Sequence, residues 1–151
     1  MATQTITWSS LFPLAPESKL ISGETGTQRL IGYLLDVGQP DRRARCRLEI
    51  TEDHLNRHGV LHGGITSCLL DSAAGATASL TVDESGRAPF LSVSISINYI
   101  APAKPGLVEA TGLITGGGRN LIFVSAELRS GAGDLLSTSN GVYKRVPQER
   151  L

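Results

Sequence analysis

The chain has 151 residues, enough for one domain around one core of ordinary size. Hydrophobic residues make up 40%, charged residues 19%, and there are 17 glycines; this is a globular composition rich in turns, not a disordered one. Lys plus Arg and Asp plus Glu each number 14, so the net charge is zero and nothing marks the chain for nucleic acid or an anionic membrane surface.

Residues 1–26 show no periodicity. Pro13, Pro16 and Gly23 interrupt them, so they read as an irregular arm with room for one short helix. No basic segment precedes an apolar run, so no signal peptide is expected. Residues 27–147 read as the folded domain. Leu30 to Val37 is a strand candidate with Ile31, Tyr33, Leu35 and Val37 on one side. Arg43 to Thr51 alternates. Ala44, Cys46, Leu48 and Ile50 face one way, and Arg43, Arg45, Arg47, Glu49 and Thr51 the other, which predicts a strand with one buried face. Gln39-Pro40-Asp41 between them is turn chemistry, so the two are expected to pair as a hairpin.

Thr51 to His62 reads as a loop. Gly63 to Leu80 has no Pro and no alternation and is apolar almost all round, which predicts a helix buried on most sides. In the wider apolar stretch Gly59 to Leu80, His62, Asp71 and many Gly, Ser and Thr residues argue against a membrane span. Gly75 costs about 1 kcal/mol of helix propensity relative to Ala, and close packing at that point is expected to explain it.

Asp83 to Arg87 is a turn. Leu91, Val93, Ile95, Ile97 and Tyr99 then alternate with Ser92, Ser94, Ser96 and Asn98, and Pro102 and Pro105 end that strand. Leu107 to Thr115 follows. Gly116-Gly117-Gly118 reads as a hairpin turn, Leu121 to Arg129 as a strand, and Gly131 to Asp134 as a turn into a last strand, Leu135 to Val146. The expected order is two strands, one long helix, then four strands in hairpin succession, an α+β layer with an antiparallel sheet. One sheet face cannot cover a helix that is apolar all round, so a second subunit is expected. Cys46 and Cys68 are too few for a disulfide framework and sit in apolar patterns, as buried thiols of a reducing, cytoplasmic compartment do.

Asp71 stands out. It lies mid-helix between Leu69-Leu70 and Ala73-Ala74, and no Lys or Arg occurs between Gly59 and Leu80 to pair with it. A buried carboxylate without a partner is expensive. It is either a functional acid or a structural one that reaches solvent or a hydrogen bond. Gly63-Gly64 begins the helix, where free N–H groups and a partial positive charge suit an oxyanion; the plainer reading is a tight turn. Gly63 and Asp71 are eight residues apart, or ~12 Å along one helix. One reacting carbonyl cannot touch both, so if they cooperate they come from two chains related by a two-fold axis.

His54, His58 and His62 fall at four-residue spacing, which on a helix would share a face and suit zinc; in a loop that contains Gly59 the spacing means little, and no metal is expected. No G-x-S-x-G elbow is present, and Gly116-Gly117-Gly118-Arg119 lacks the surroundings of a nucleotide loop.

Asn56-Arg57-His58-Gly59-Val60-Leu61-His62-Gly63-Gly64 followed by Leu69-Leu70-Asp71-Ser72-Ala73 resembles the hotdog-fold thioesterases of the phenylacetate-degradation (PaaI-like) type. Leu91 to Ala103, with Ser92 near its start and Tyr99-Ile100-Ala101-Pro102-Ala103 at its end, matches as well, and the likeness spans roughly residues 23–146. It implies a hotdog fold, an antiparallel sheet wrapped around one long central helix, and hydrolysis of acyl-CoA to CoA and a carboxylic acid. Asp71 would be base or nucleophile, and the Gly63 amide would polarise the thioester carbonyl. Asn56 would help hold the carbonyl or water, Ser92 would assist Asp71, and His62 would shape the turn. Gly64, Lys104 and Arg119 are candidates for substrate contacts, the last two for CoA phosphates. No cofactor beyond the CoA of the substrate is implied, and the partner is a second copy, as a dimer or a dimer of dimers. Two rival expectations are a hotdog hydratase or dehydratase, for which His62 is badly placed, and a non-catalytic acyl-CoA-binding module, which would not need Asp71 in the helix.

Overall fold

The computed structural model describes residues 14–151. Seven strands form one antiparallel sheet: β1 (Leu20–Ser22), β2 (Leu34–Asp36), β3 (Arg45–Ile50), β4 (Phe90–Tyr99), β5 (Gly106–Gly117), β6 (Leu121–Ser130) and β7 (Leu135–Arg145). Their order across the sheet is β1-β2-β3-β5-β6-β7-β4. A short helix α1 (Gly26–Ile31) precedes β2, and the long helix α2 (Gly63–Ser79) joins β3 to β4. The sheet curls round α2, which packs against every strand from β2 to β7. This is the hotdog arrangement.

α2 starts and stops where its composition predicts, with His62 as N-cap and Leu80 as C-cap. Leu69, Leu70, Ala73, Ala74 and Ala78 are wholly buried against Cys46, Leu48, Val108, Ala110, Val124 and Leu128 of the sheet. Helix and sheet approach closely at Gly112, where a Cβ would stand 2.3 Å from Thr77 Oγ1 and 3.0 Å from the Ala73 carbonyl oxygen. Thr77 Oγ1 bonds both layers, donating to the Ala73 carbonyl (2.7 Å) and accepting from the Ala44 amide (3.0 Å). Gly75 has no such neighbour: the nearest atom to its Cβ position is Tyr143 Cε1 at 4.0 Å, an ordinary contact. Close packing inside the protomer therefore does not account for it.

Other expectations need correction. Leu20–Ser22, inside the stretch read as an irregular arm, is a strand paired with Leu34–Asp36; residues 1–13 of that arm lie outside the described residues. The strand candidate Leu30 to Val37 is split between the end of α1 and β2. Local chemistry explains α1: Thr25 caps the Gln28 amide, the Gln28 side chain returns the bond, and Gly32 closes the helix at φ +87°. The buried Gln28 also donates to the Ile21 carbonyl (3.1 Å), tying the helix to β1. β2 and β3 do pair as expected. The last four strands are not all in hairpin succession, because β4 crosses to the far edge and pairs with β7 while β5 pairs with β3.

Arg47, which the alternation of β3 places on the solvent face, is instead 5% exposed. Its Nε donates to Glu109 Oε2 on β5 (2.6 Å), and its Nη1 lies 3.6 Å from Asp36 Oδ2 on β2. Asp36 is fully buried and accepts from Ser18 Oγ, the Lys19 and Gly38 amides and Gln39 Nε2, at 2.7–3.1 Å. Burial opposes its charge, but those donors outweigh it and hold the carboxyl below the usual range. Removing one partner of such a cluster strands the others in a dry site. Asp36→Ala is therefore expected to cost about 3–5 kcal/mol, read from urea unfolding at neutral pH. A native pKa below the unfolded value means that this stability is present above about pH 4 and lost as pH falls through the native value.

Candidate active site

Two groups of predicted residues sit at two points on α2. The first is mid-helix. Asp71 is half-buried, and Ser92 Oγ of β4 donates to its Oδ1 at 2.6 Å. Asp71 makes no ion pair with a described residue. Ser92 can reach the helix because β4 carries a bulge between Ser92 and Ser94. Before the bulge Ser92 faces inward opposite Tyr143; after it Ile95 and Ile97 do, packed on the core. Strict alternation would have put Ser92 on the face away from Ile95 and Ile97. The extra residue re-phases the strand and aims the hydroxyl at Asp71.

The second group is at the helix start. His62 caps it, Nδ1 accepting from the Gly64 amide at 2.9 Å. The Gly64 donor is thereby used. The Gly63 amide makes no hydrogen bond to a described residue, so it is the free donor of the first turn. Asn56 Oδ1 accepts from the His58 amide (2.9 Å) and the Val60 amide (3.4 Å), an Asx turn that fixes the loop and leaves the side-chain NH2 as its remaining polar group. Asn56, Leu61, Gly63, Thr66 and Tyr99 share a cleft of about 430 Å³. Tyr99, which the sequence marks as a strand residue but not as part of the site, donates its hydroxyl to the Gly63 carbonyl at 2.9 Å and ties the end of β4 to the helix start.

Within one protomer the two groups do not meet, since the eight residues between Gly63 and Asp71 span ~12 Å of helix. The cationic candidates are further apart still. Lys104 precedes β5 and Arg119 follows it, both exposed, and a strand of 12 residues separates them by roughly 35–40 Å. His54 is buried, its Nδ1 accepting from the Thr51 amide (2.9 Å) and its Nε2 2.7 Å from the Ile31 carbonyl oxygen, so both ring nitrogens serve the fold.

The edge strand β4 is the other unusual feature. Its sequence, Phe90–Tyr99, has no charge and no Pro. Leu91 and Val93 are 53% and 59% exposed. A long uncharged edge with free backbone groups is a template for pairing with another chain. The described residues contain no helix long and apolar enough to cross a membrane.

Comparison with known proteins gives a consistent result. The family model described as "Thioesterase superfamily" matches residues 58–137, from the loop before the helix to β7. Acyl-coenzyme A thioesterase 13 of Homo sapiens is 34% identical over 106 residues, covering 70% of this chain and 74% of that protein. Among solved structures, the conserved protein PA5202 of Pseudomonas aeruginosa superposes with a TM-score of 0.71 at 27% identity, covering 81% of this chain and 94% of that one. The E. coli PaaI protein of the phenylacetic acid degradation operon has a TM-score of 0.69 at 19% identity, covering 82% and 86%, and shares the fold.

Proposed function

This chain belongs to the thioesterase superfamily, and from that premise we propose that it hydrolyses acyl-CoA thioesters at sites shared between two protomers. Asp71 of one protomer, oriented by Ser92, either takes a proton from the attacking water or attacks the thioester carbonyl itself. The carbonyl oxygen becomes an oxyanion and is held by the free Gly63 amide of the second protomer. Asn56 beside that amide would hold the carbonyl or the water. In the first case the C–S bond breaks as Asp71 passes that proton to the departing CoA thiolate, and the acyl group leaves as the carboxylic acid; in the second the C–S bond breaks to leave the acyl group on Asp71 as a mixed anhydride, the CoA thiolate takes a proton from solvent, and water then cleaves the anhydride to the acid and the free Asp71 carboxylate. His62 fixes the turn, and Gly64 gives the acyl carbonyl room to approach. Lys104 or Arg119 would meet the CoA phosphates.

The observation that carries this reading is Asp71: a carboxylate in the middle of an apolar helix, gripped by a strand hydroxyl, without an ion-pair partner among the described residues. The dimer is supported by the uncharged edge of β4 and by the ~12 Å between Asp71 and Gly63 on one helix.

Free thiol is the discriminating product. Short, medium, long and aryl acyl-CoAs, each incubated with the protein, are expected to release thiol and acid in equal amounts from at least one class. Hydration of an enoyl-CoA without thiol release would make the protein a hydratase. Binding without turnover would make it a carrier or sensor module.

A further inference from the structure

Tyr143 has no part in the scheme above, yet it lies inside the site. It sits on β7 directly opposite Ser92, on the same inward face. It is 1% exposed. Its ring lies across Gly141, where a Cβ would stand 2.7 Å from Cε2 and 3.0 Å from the hydroxyl. Only glycine at 141 leaves the ring in this place. On its other side the ring reaches the Gly75 position of α2, one helical turn beyond Asp71 and on the same face.

The hydroxyl at the tip of this ring is buried and makes no hydrogen bond of normal geometry to a described residue. An orphaned buried hydroxyl is a cost that Phe would avoid. Burial pushes the phenol well above the usual tyrosine range, and the Asp71 carboxylate beside it pushes in the same direction. Tyr143 thus keeps its proton and stands ready as a donor next to a carboxylate that has one donor already, Ser92.

We infer that Tyr143 is a positioning residue for Asp71, its hydroxyl serving the carboxylate oxygen that Ser92 leaves open. Two cross-strand neighbours then hold both oxygens of one carboxylate. This fixes the plane of the group and aims it at the thioester. The inference rests on the proposed role of Asp71.

The test is Tyr143→Phe, alone and in an Asp71→Asn background. The single variant is expected to fold with a Tm close to that of the wild type, because Phe keeps the ring in place over Gly141. Its kcat for acyl-CoA hydrolysis should fall about 10- to 100-fold with KM within about twofold, as for a misaimed catalytic group. In the Asp71→Asn background the same change should have no further effect on kcat. Wild-type kcat would overturn the inference and leave the proposed function standing. An equal drop in kcat with and without Asp71 would mark a packing effect and overturn it too. Full turnover in Asp71→Asn alone would remove the role of Asp71, and the inference with it.

Discussion

Asp71→Asn is expected to fold normally and to lose about 10²–10⁴-fold in kcat for acyl-CoA hydrolysis. Asn keeps the shape and can still accept from Ser92, so the helix and β4 should stay together. What it loses is the charge: an amide cannot take a proton from water, nor attack a carbonyl as a carboxylate does. The substitution also relieves a half-buried charge on an apolar helix, so the unfolding midpoint in urea should not fall. Loss of kcat with retained stability is the signature of a functional acid. A structural acid would give the reverse, loss of stability with activity that follows the folded fraction.

Gly63→Pro is the second large effect, expected at about 10²–10³-fold in kcat, the usual cost of one lost oxyanion donor. Gly63 is the first residue of α2, and proline is tolerated there because that N–H has no partner within the helix. His62 already has an extended backbone (φ −61°, ψ 133°), as a residue before proline needs. The nearest atoms to a Cβ at 63 belong to Tyr99, at 3.4–3.5 Å, an ordinary contact. The variant thus deletes one donor with little strain. Circular dichroism should show the helix intact while turnover collapses.

Much of this was legible in the sequence, for identifiable reasons. α2 announces itself by a largely apolar, small-residue stretch without Pro or alternation, and β3 by strict alternation whose inward members Ala44, Cys46, Leu48 and Ile50 are all buried. Asp71 was visible because a carboxylate there breaks the pattern. What was not legible depends on contacts between distant segments. Arg47 looked solvent-facing because period two records only that it opposes Cys46, not that Asp36 and Glu109 flank it. The β4 bulge leaves no mark in the alternation of Ser and apolar residues, so Ser92 came only through the family resemblance. α1 did leave a mark in Thr25, Gln28 and Gly32, which the strand-like run after it obscured. Tyr143 read as one more aromatic in a last strand. Its signal is the Gly141 two residues earlier, which makes sense only once the ring is seen lying over it.

The claim on which all of this turns is that one protomer supplies the acid and another the amide. Asp71→Asn and Gly63→Pro chains, each inactive alone, can be unfolded together, refolded as a mixture and assayed for thiol release. A mixed dimer carries one site with both defects and one site with an intact Asp71 facing an intact Gly63. Random pairing of equal amounts should therefore restore about a quarter of wild-type activity per protomer. Activity no higher than the sum of the two variants measured separately, with mixed dimers shown to be present, would mean that each site is built within a single chain.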